Sequence, residues 1–264
     1  MTRGYVYDQG FADERRRLAG MESLWDPGSQ ALLDEIGVSK GWRCLEVGAG
    51  GGSLVEWMIG RGATVMAIDI DTRFIESLAS DAVEVRRIDL RMDELPRSRF
   101  DLVHARLVLE HLTERRQILD RLAATLRPGG WIVIEDYDWT GSGFEGDDPQ
   151  IERVRKAIIT FMEQAGFDPH YGRRLVSDMA AAGLTEVRGE GRSRVIDSSS
   201  PGFDFFRLSF ASLRHTLVKA GVLSAEDADA AAARYAEDRR VVTPVMMAGI
   251  GRRPAPQSLA HDRR

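Results

Sequence analysis

Residues 44–57 read CLEVGAGGGSLVEW. An apolar run ends on Gly48, glycine returns at positions 50, 51 and 52, and LVEWMI resumes at helical spacing from Leu54. Strand, loop and helix in that order mark a turn built to face a ligand. Glycine backbone without Cβ lets a bound group lie against it, beside the amides that open the helix. A plain chain reversal needs one or two glycines rather than four. Ser53 can cap the helix that follows. Two occupants suit such a loop, the pyrophosphate of a dinucleotide or some other nucleoside.

Outward from the loop, short apolar runs alternate with longer segments of helical period. The strands expected are 43–48, 64–69, 83–88, 100–105 and 131–136, each nearly continuous in apolar residues. That continuity is what burial on both faces of a parallel sheet demands. Helices are expected at 53–61, 72–80 and 107–126, with RPGG at 127–130 stopping the last. Two later strands, 185–196 and 241–251, follow helical segments near 150–165 and across 203–238, and a further helix is expected over 11–36. The alternation predicts an α/β fold with a parallel sheet covered by helices. In such a sheet the ligand sits beyond the carboxyl ends of the strands, so the residues after each strand carry the chemistry.

Composition narrows the function. The chain has 264 residues, 43% of them hydrophobic and 29% charged, with a net charge of -5. That balance argues against nucleic acid and anionic membrane as partners. One cysteine, Cys44, excludes an intrachain disulfide and a cysteine-rich metal site, as expected in a reducing cytosol. No signal peptide or membrane span is read, and a cytoplasmic location is expected. Three lysines among 36 basic residues suit a G+C-rich, bacterial genome.

The spacing then separates the two occupants. A dinucleotide fingerprint would use Gly48 and Gly50 and want a small residue at position 53 for close helix packing, which Ser53 suits badly. What stands there is E-x-G-x-G-x-G: Glu46, Gly48, Gly50, Gly52. With Asp69 ending the second strand, Asp89 following the third, FDLVHARLVLEHL at 100–112 and LRPGGWIVIED at 126–136, the chain resembles the class I S-adenosylmethionine-dependent methyltransferases of small-molecule type. Asp69 alone does not discriminate, because a dehydrogenase places an acid there too.

The resemblance implies a Rossmann-like, doubly wound, seven-stranded, mostly parallel sheet with an antiparallel last strand. It implies an N-terminal helical cover at 1–40, a core at 41–200, a helical cap at 201–240, the final strand at 241–252 and a disordered tail at 253–264. S-adenosylmethionine would lie against Glu46, Gly48, Gly50 and Gly52, with Asp69 and Ile70 at the ribose. Asp89 and Leu90 would meet the adenine, Ala105 and Arg106 follow the fourth strand, and Tyr7 of the GYVY stretch would fold over the cofactor. No metal is implied.

Transfer from a sulfonium is an in-line displacement, in which alignment and exclusion of water dominate. For a hydroxyl or amine acceptor, His111 is the candidate general base, with a capping or packing role as its alternative. Tyr137, Trp139, Tyr171, Phe206 and Phe210 are the candidate acceptor pocket, and their character points to an apolar or aromatic small molecule of secondary metabolism. The alternatives are a methyltransferase-like protein that binds the cofactor without transfer, and an NAD-dependent oxidoreductase. A homodimer is left open.

Overall fold

The computed structural model describes residues 11–146 and 148–255. Tyr7 and the tail from residue 256 lie outside the described residues. The main sheet is built from β1 (Arg43–Val47), β2 (Thr64–Asp69), β3 (Val83–Arg87), β4 (Phe100–Arg106), β5 (Leu126–Asp138), β7 (Thr185–Arg192) and β10 (Val245–Arg252). Their spatial order is β3-β2-β1-β4-β5-β10-β7. The first five pair in parallel, and β10 runs antiparallel between β5 and β7. The order reverses between β1 and β4, so a crevice opens where their carboxyl ends diverge.

Alternation along β1 shows why both faces need helices. Cys44 packs with Leu33 of α1 (Glu14–Glu35) and Val55 and Met58 of α2 (Ser53–Gly60). Leu45 packs on the opposite face with Ile118 and Leu122 of α3 (Arg115–Thr125) and Met179 of α5 (Leu175–Ala181). Each such side chain contributes roughly 1.5–3 kcal/mol by leaving water.

Above the carboxyl ends stands a second layer. α4 (Pro149–Gln164), α6 (Phe203–Lys219) and α7 (Ala225–Ala236) share a core through Val154, Leu213, Leu217 and Ala231. Asp148 caps α4 by accepting from the amides of Gln150 and Ile151, with Pro149 at its first position. Gly20 of α1 meets α6 so closely that a Cβ would stand 2.7 Å from the Phe205 amide nitrogen. A small sheet, β6 (Gly143–Phe144), β9 (Val241–Val242) and β8 (Val195–Ile196), ties this layer to the strand ends.

Several expected elements differ. Residues 72–80 form turns and one short 3₁₀ stretch, Glu76–Leu78, instead of a helix. The helix expected at 107–126 starts late, because Leu107 adopts φ +55°, and splits into a 3₁₀ turn at Leu109–His111 and α3, because Leu112 is extended at φ -110°, ψ 130°. RPGG lies inside β5 rather than before it, where Gly130 lets the chain approach Phe100. The strands at 185–196 and 241–251 each break in two; Pro244, with no N–H to donate, separates β9 from β10. Gly52, not Ser53, is the N-cap of α2, at φ +88°.

Candidate active site

The glycine loop is held by the ends of its neighbours. The amides of Gly48 and Ala49 both donate to the Ile68 carbonyl, at 2.8 and 3.1 Å. The Gly50 amide donates to Asp69 Oδ2 at 2.9 Å, and the Asp71 amide to Oδ1 at 3.0 Å. Gly48 stands at φ +67°, and a Cβ there would lie 2.4 Å from Val108 Cγ2. Left-handed backbone and close approach both require glycine at that position. Burial pushes the Asp69 carboxyl up, against the opposing pull of those amides.

Gly48, Gly50, Asp69, Ile70, Asp89 and Leu90 line a single cavity of about 350 Å³. Asp89 pairs with Arg91 at 2.7 Å, which holds its carboxyl below the ordinary range. Tyr137, Trp139, and Phe206 and Phe210 of α6 line the cavity too, as do Arg106 and His111. Tyr137 is fixed by its hydroxyl, which accepts from Trp25 Nε1 at 2.7 Å. Phe210 stacks on Tyr235. Trp139 Nε1 is buried and has no hydrogen-bond partner among the described residues.

Four expected residues do not reach this cavity. Ala105 points into the core beside Val47 and Val103, and Tyr171 is fully buried against Leu175 and Met179. Gly52 faces Leu78 and Ile75, so its missing side chain serves packing. Glu46 turns inward to His104, its register partner on β4, with Nδ1 2.8 Å from Oε2. It borders a much smaller cavity beneath the loop, shared with Glu22, Gly48 and Arg106.

That contact belongs to a buried network that sequence reasoning missed. His104 Nε2 lies 3.0 Å from Glu135 Oε2 on β5, and Glu135 also takes Ser29 Oγ of α1 and Arg192 of β7. Arg106 donates to Ser29 at 2.9 Å and to Asp26 at 2.8 Å. Burial works against charge on His104, but the two glutamates outweigh it and hold the imidazole up at about 9. Burial likewise works against the Glu135 carboxylate, yet His104, Arg192 and Arg106 hold it down at about 2. The available signal was three charges, Glu46, His104 and Glu135, set inside otherwise apolar strands.

His111 and Glu110 present opposite electrostatics. Burial, with Arg17 and Arg115 nearby, pushes the His111 imidazole down to about 3, so it is neutral. Glu110 also lines the cavity, 2% exposed, with Oε2 accepting the Tyr137 amide at 2.8 Å and Oε1 3.5 Å from His111 Nε2. Burial and the neighbouring Asp136 raise its carboxyl well above the usual range. Among the described residues, no group of three or more His, Cys, Asp or Glu is placed to hold a metal ion, and no helix is long and apolar enough to cross a membrane.

Comparison with known proteins follows the same outline. Residues 45–134 match the family model of a methyltransferase domain. Methyltransferase str2 of Strobilurus tenacellus is 35% identical over 170 residues, covering 61% of this chain and 59% of that protein. A ubiquinone biosynthesis O-methyltransferase of Paracidovorax citrulli is 30% identical over 121 residues, covering 42% of this chain and 50% of that protein. The chain thus spans between half and three-fifths of the length of these two relatives. In fold it resembles a phosphoethanolamine N-methyltransferase of Haemonchus contortus solved with S-adenosylhomocysteine, with TM-score 0.58 and 15% identity over 94% of this chain and 59% of that one. The matched span runs through β1 to β5, the parallel strands whose carboxyl ends hold the glycine loop, and over that span the chain is similar to S-adenosylmethionine-dependent methyltransferases.

Proposed function

We propose that the chain transfers the methyl group of S-adenosylmethionine to a hydroxyl oxygen of a small, apolar, aromatic acceptor, as a step of secondary metabolism. One observation carries this reading: a single cavity is lined both by the glycine loop, Asp69 and Asp89 and by Trp139, Phe206 and Phe210. Donor and acceptor would therefore share one largely apolar space. The oxygen is favoured by the O-methyltransferase relative, which bears that activity in its name.

The residues suit the cofactor. Gly48 and Gly50 line the cavity with left-handed backbone that only glycine adopts readily. Each Asp69 oxygen accepts one amide and keeps a second lone pair for a ribose hydroxyl. Asp89 and Leu90 supply an acceptor and an apolar edge for adenine. Glu22 Oε1 and Arg106 Nε are buried without partners among the described residues, and both residues border the small cavity beneath the loop. They offer the opposite charges that an amino-acid end requires. When bound, the sulfonium supplies a methyl group already activated for displacement. The chain's part is alignment and dryness: aromatic walls set the acceptor and exclude water. Trp139 Nε1 offers the acceptor a hydrogen bond inside an otherwise apolar wall.

The test is binding of S-adenosylhomocysteine and of NAD by calorimetry, followed by a panel of hydroxylated and aminated aromatic compounds with S-adenosylmethionine. Binding of the first alone and O-methylated products are expected. Binding with no S-adenosylhomocysteine formed from any compound would leave a protein that binds without transfer, and tight NAD binding would overturn the family-based reading of the loop.

A further inference from the structure

Resting on the methyl-transfer reading above, we propose that Glu110 is the catalytic base, taking the proton that the acceptor's hydroxyl gives up as its oxygen is methylated. The sequence points to its neighbour His111; the geometry points one residue back. Glu110 sits in the 3₁₀ turn that follows β4, in the lining of the cavity and bonded to the amide of Tyr137, which lines it too. Its Oε2 is anchored by the Tyr137 amide, which fixes the direction of the carboxyl.

The other acids of the lining are engaged. Glu14 is gripped by Arg17 through two hydrogen bonds, Asp71 by Arg73 and Asp89 by Arg91, Glu114 accepts from Thr113 Oγ1, and Asp69 holds the loop. Among the described residues, no Arg or Lys nitrogen forms an ion pair with Glu110. The groups that face it are Asp136 of β5, Asp168 before the next turn, Arg115 of α3 and His111, with Tyr171 and Arg174 behind. Asp136 is itself fully buried, and burial raises its carboxyl against the pull of the Glu110 and Val108 amides. Two buried acids side by side cannot both ionise readily, which raises the proton affinity that a base needs. His111, held neutral at about 3, has too little affinity for a proton to keep one.

The step balances. An oxygen lone pair forms the new O–CH3 bond, the S–CH3 bond breaks with its electrons left on sulfur, and the O–H proton passes to Glu110 Oε1. The carboxylate's negative charge and the sulfonium's positive charge vanish together. That suits an apolar chamber, where separated charges are costly. Product release then lets the proton leave to solvent.

Glu110→Gln keeps an oxygen for the Tyr137 amide but cannot take a proton. Infrared difference titration without any ligand should show a protonated carboxyl band in the wild type that disappears in Glu110→Gln and titrates at lower pH in Asp136→Asn. With an aromatic hydroxyl compound that the wild type methylates, Glu110→Gln should lower kcat by about 10²- to 10⁴-fold and abolish the rising limb of the pH profile. S-adenosylhomocysteine affinity should stay within about twofold, and Glu110→Asp should restore the limb. Identical infrared titrations of wild type and Glu110→Gln, or an unaltered rate with the limb retained, would overturn the proposal. If no compound is methylated by the wild type, the functional reading fails, and the infrared titration alone still decides whether Glu110 carries the proton.

Discussion

Asp69 links two jobs in one carboxylate, orienting the loop through the Gly50 amide and facing the cavity. Asp69→Ala is expected to weaken S-adenosylhomocysteine binding at least about tenfold, roughly 1.4 kcal/mol, as read by calorimetry; unchanged affinity would remove Asp69 from the site. Gly48→Ala puts a Cβ on a left-handed residue and against Val108. Backbone strain alone costs about 1–2 kcal/mol. Here the loop should distort, with cofactor affinity falling further than stability; equal losses in chemical denaturation and calorimetry would make the glycine a folding residue only. Both positions were legible because their chemistry depends on standing just after a strand, and apolar runs mark strand ends well. Glu46, Gly52, Ala105 and Tyr171 lie off the cavity, because a motif position does not say which way a residue faces. Glu110 stayed hidden for a related reason: the charges that act on it, Asp136, Asp168 and Arg115, lie 26, 58 and 5 residues away along the chain.

At the scale of elements, the network around His104 joins α1 to four strands of the sheet, β1, β4, β5 and β7. Charges buried this deeply stabilise only while every partner is present. His104→Gln removes the cation that stands between Glu46 and Glu135 and leaves Glu46 without it, at an expected cost of ~3–5 kcal/mol in denaturant unfolding. The pH dependence has a definite sign. An imidazole raised from 6.5 to about 9 gives its full stabilisation below pH 6.5 and loses it as pH climbs toward 9. A carboxyl lowered from 4.5 to about 2 stabilises above pH 4.5 and fails as pH drops toward 2. The wild-type Tm should therefore decline between pH 6.5 and 9, and the decline should flatten in His104→Gln. An equal slope in both proteins would mean the imidazole is already neutral in the fold. The strands that carry this network were readable from their apolar runs, whereas the expected helix at 107–126 was not. Its apolar spacing is helical on both sides of Leu112, and only the fold makes that residue extended.

The whole molecule divides its labour between a floor and a roof. The floor is the carboxyl edge of a parallel sheet, whose order and loop follow from sequence pattern. The roof is assembled from three stretches far apart in the chain: α1 before the sheet, α4 after β5, and α6 with α7 between β7 and β10. Its phenylalanines at helical spacing were readable as an apolar face, but only the fold distinguishes Phe206 and Phe210, which line the cavity, from Phe203, which does not. Such a division predicts that donor and acceptor recognition can be altered separately. Phe206→Leu keeps an apolar side chain of smaller volume in the roof, so the acceptor's KM should rise severalfold, the ~1–3 kcal/mol that a resized apolar pocket can discriminate. Trp139→Phe removes the unpartnered indole N–H and keeps the ring, so it should weaken acceptors bearing a hydrogen-bond acceptor group and spare those without one. Neither change touches the glycine loop or Asp69, and calorimetry should return the wild-type affinity for S-adenosylhomocysteine in both. Loss of that affinity in either variant would show instead that the roof closes over the cofactor itself, and that acceptor and donor sites are one recognition unit.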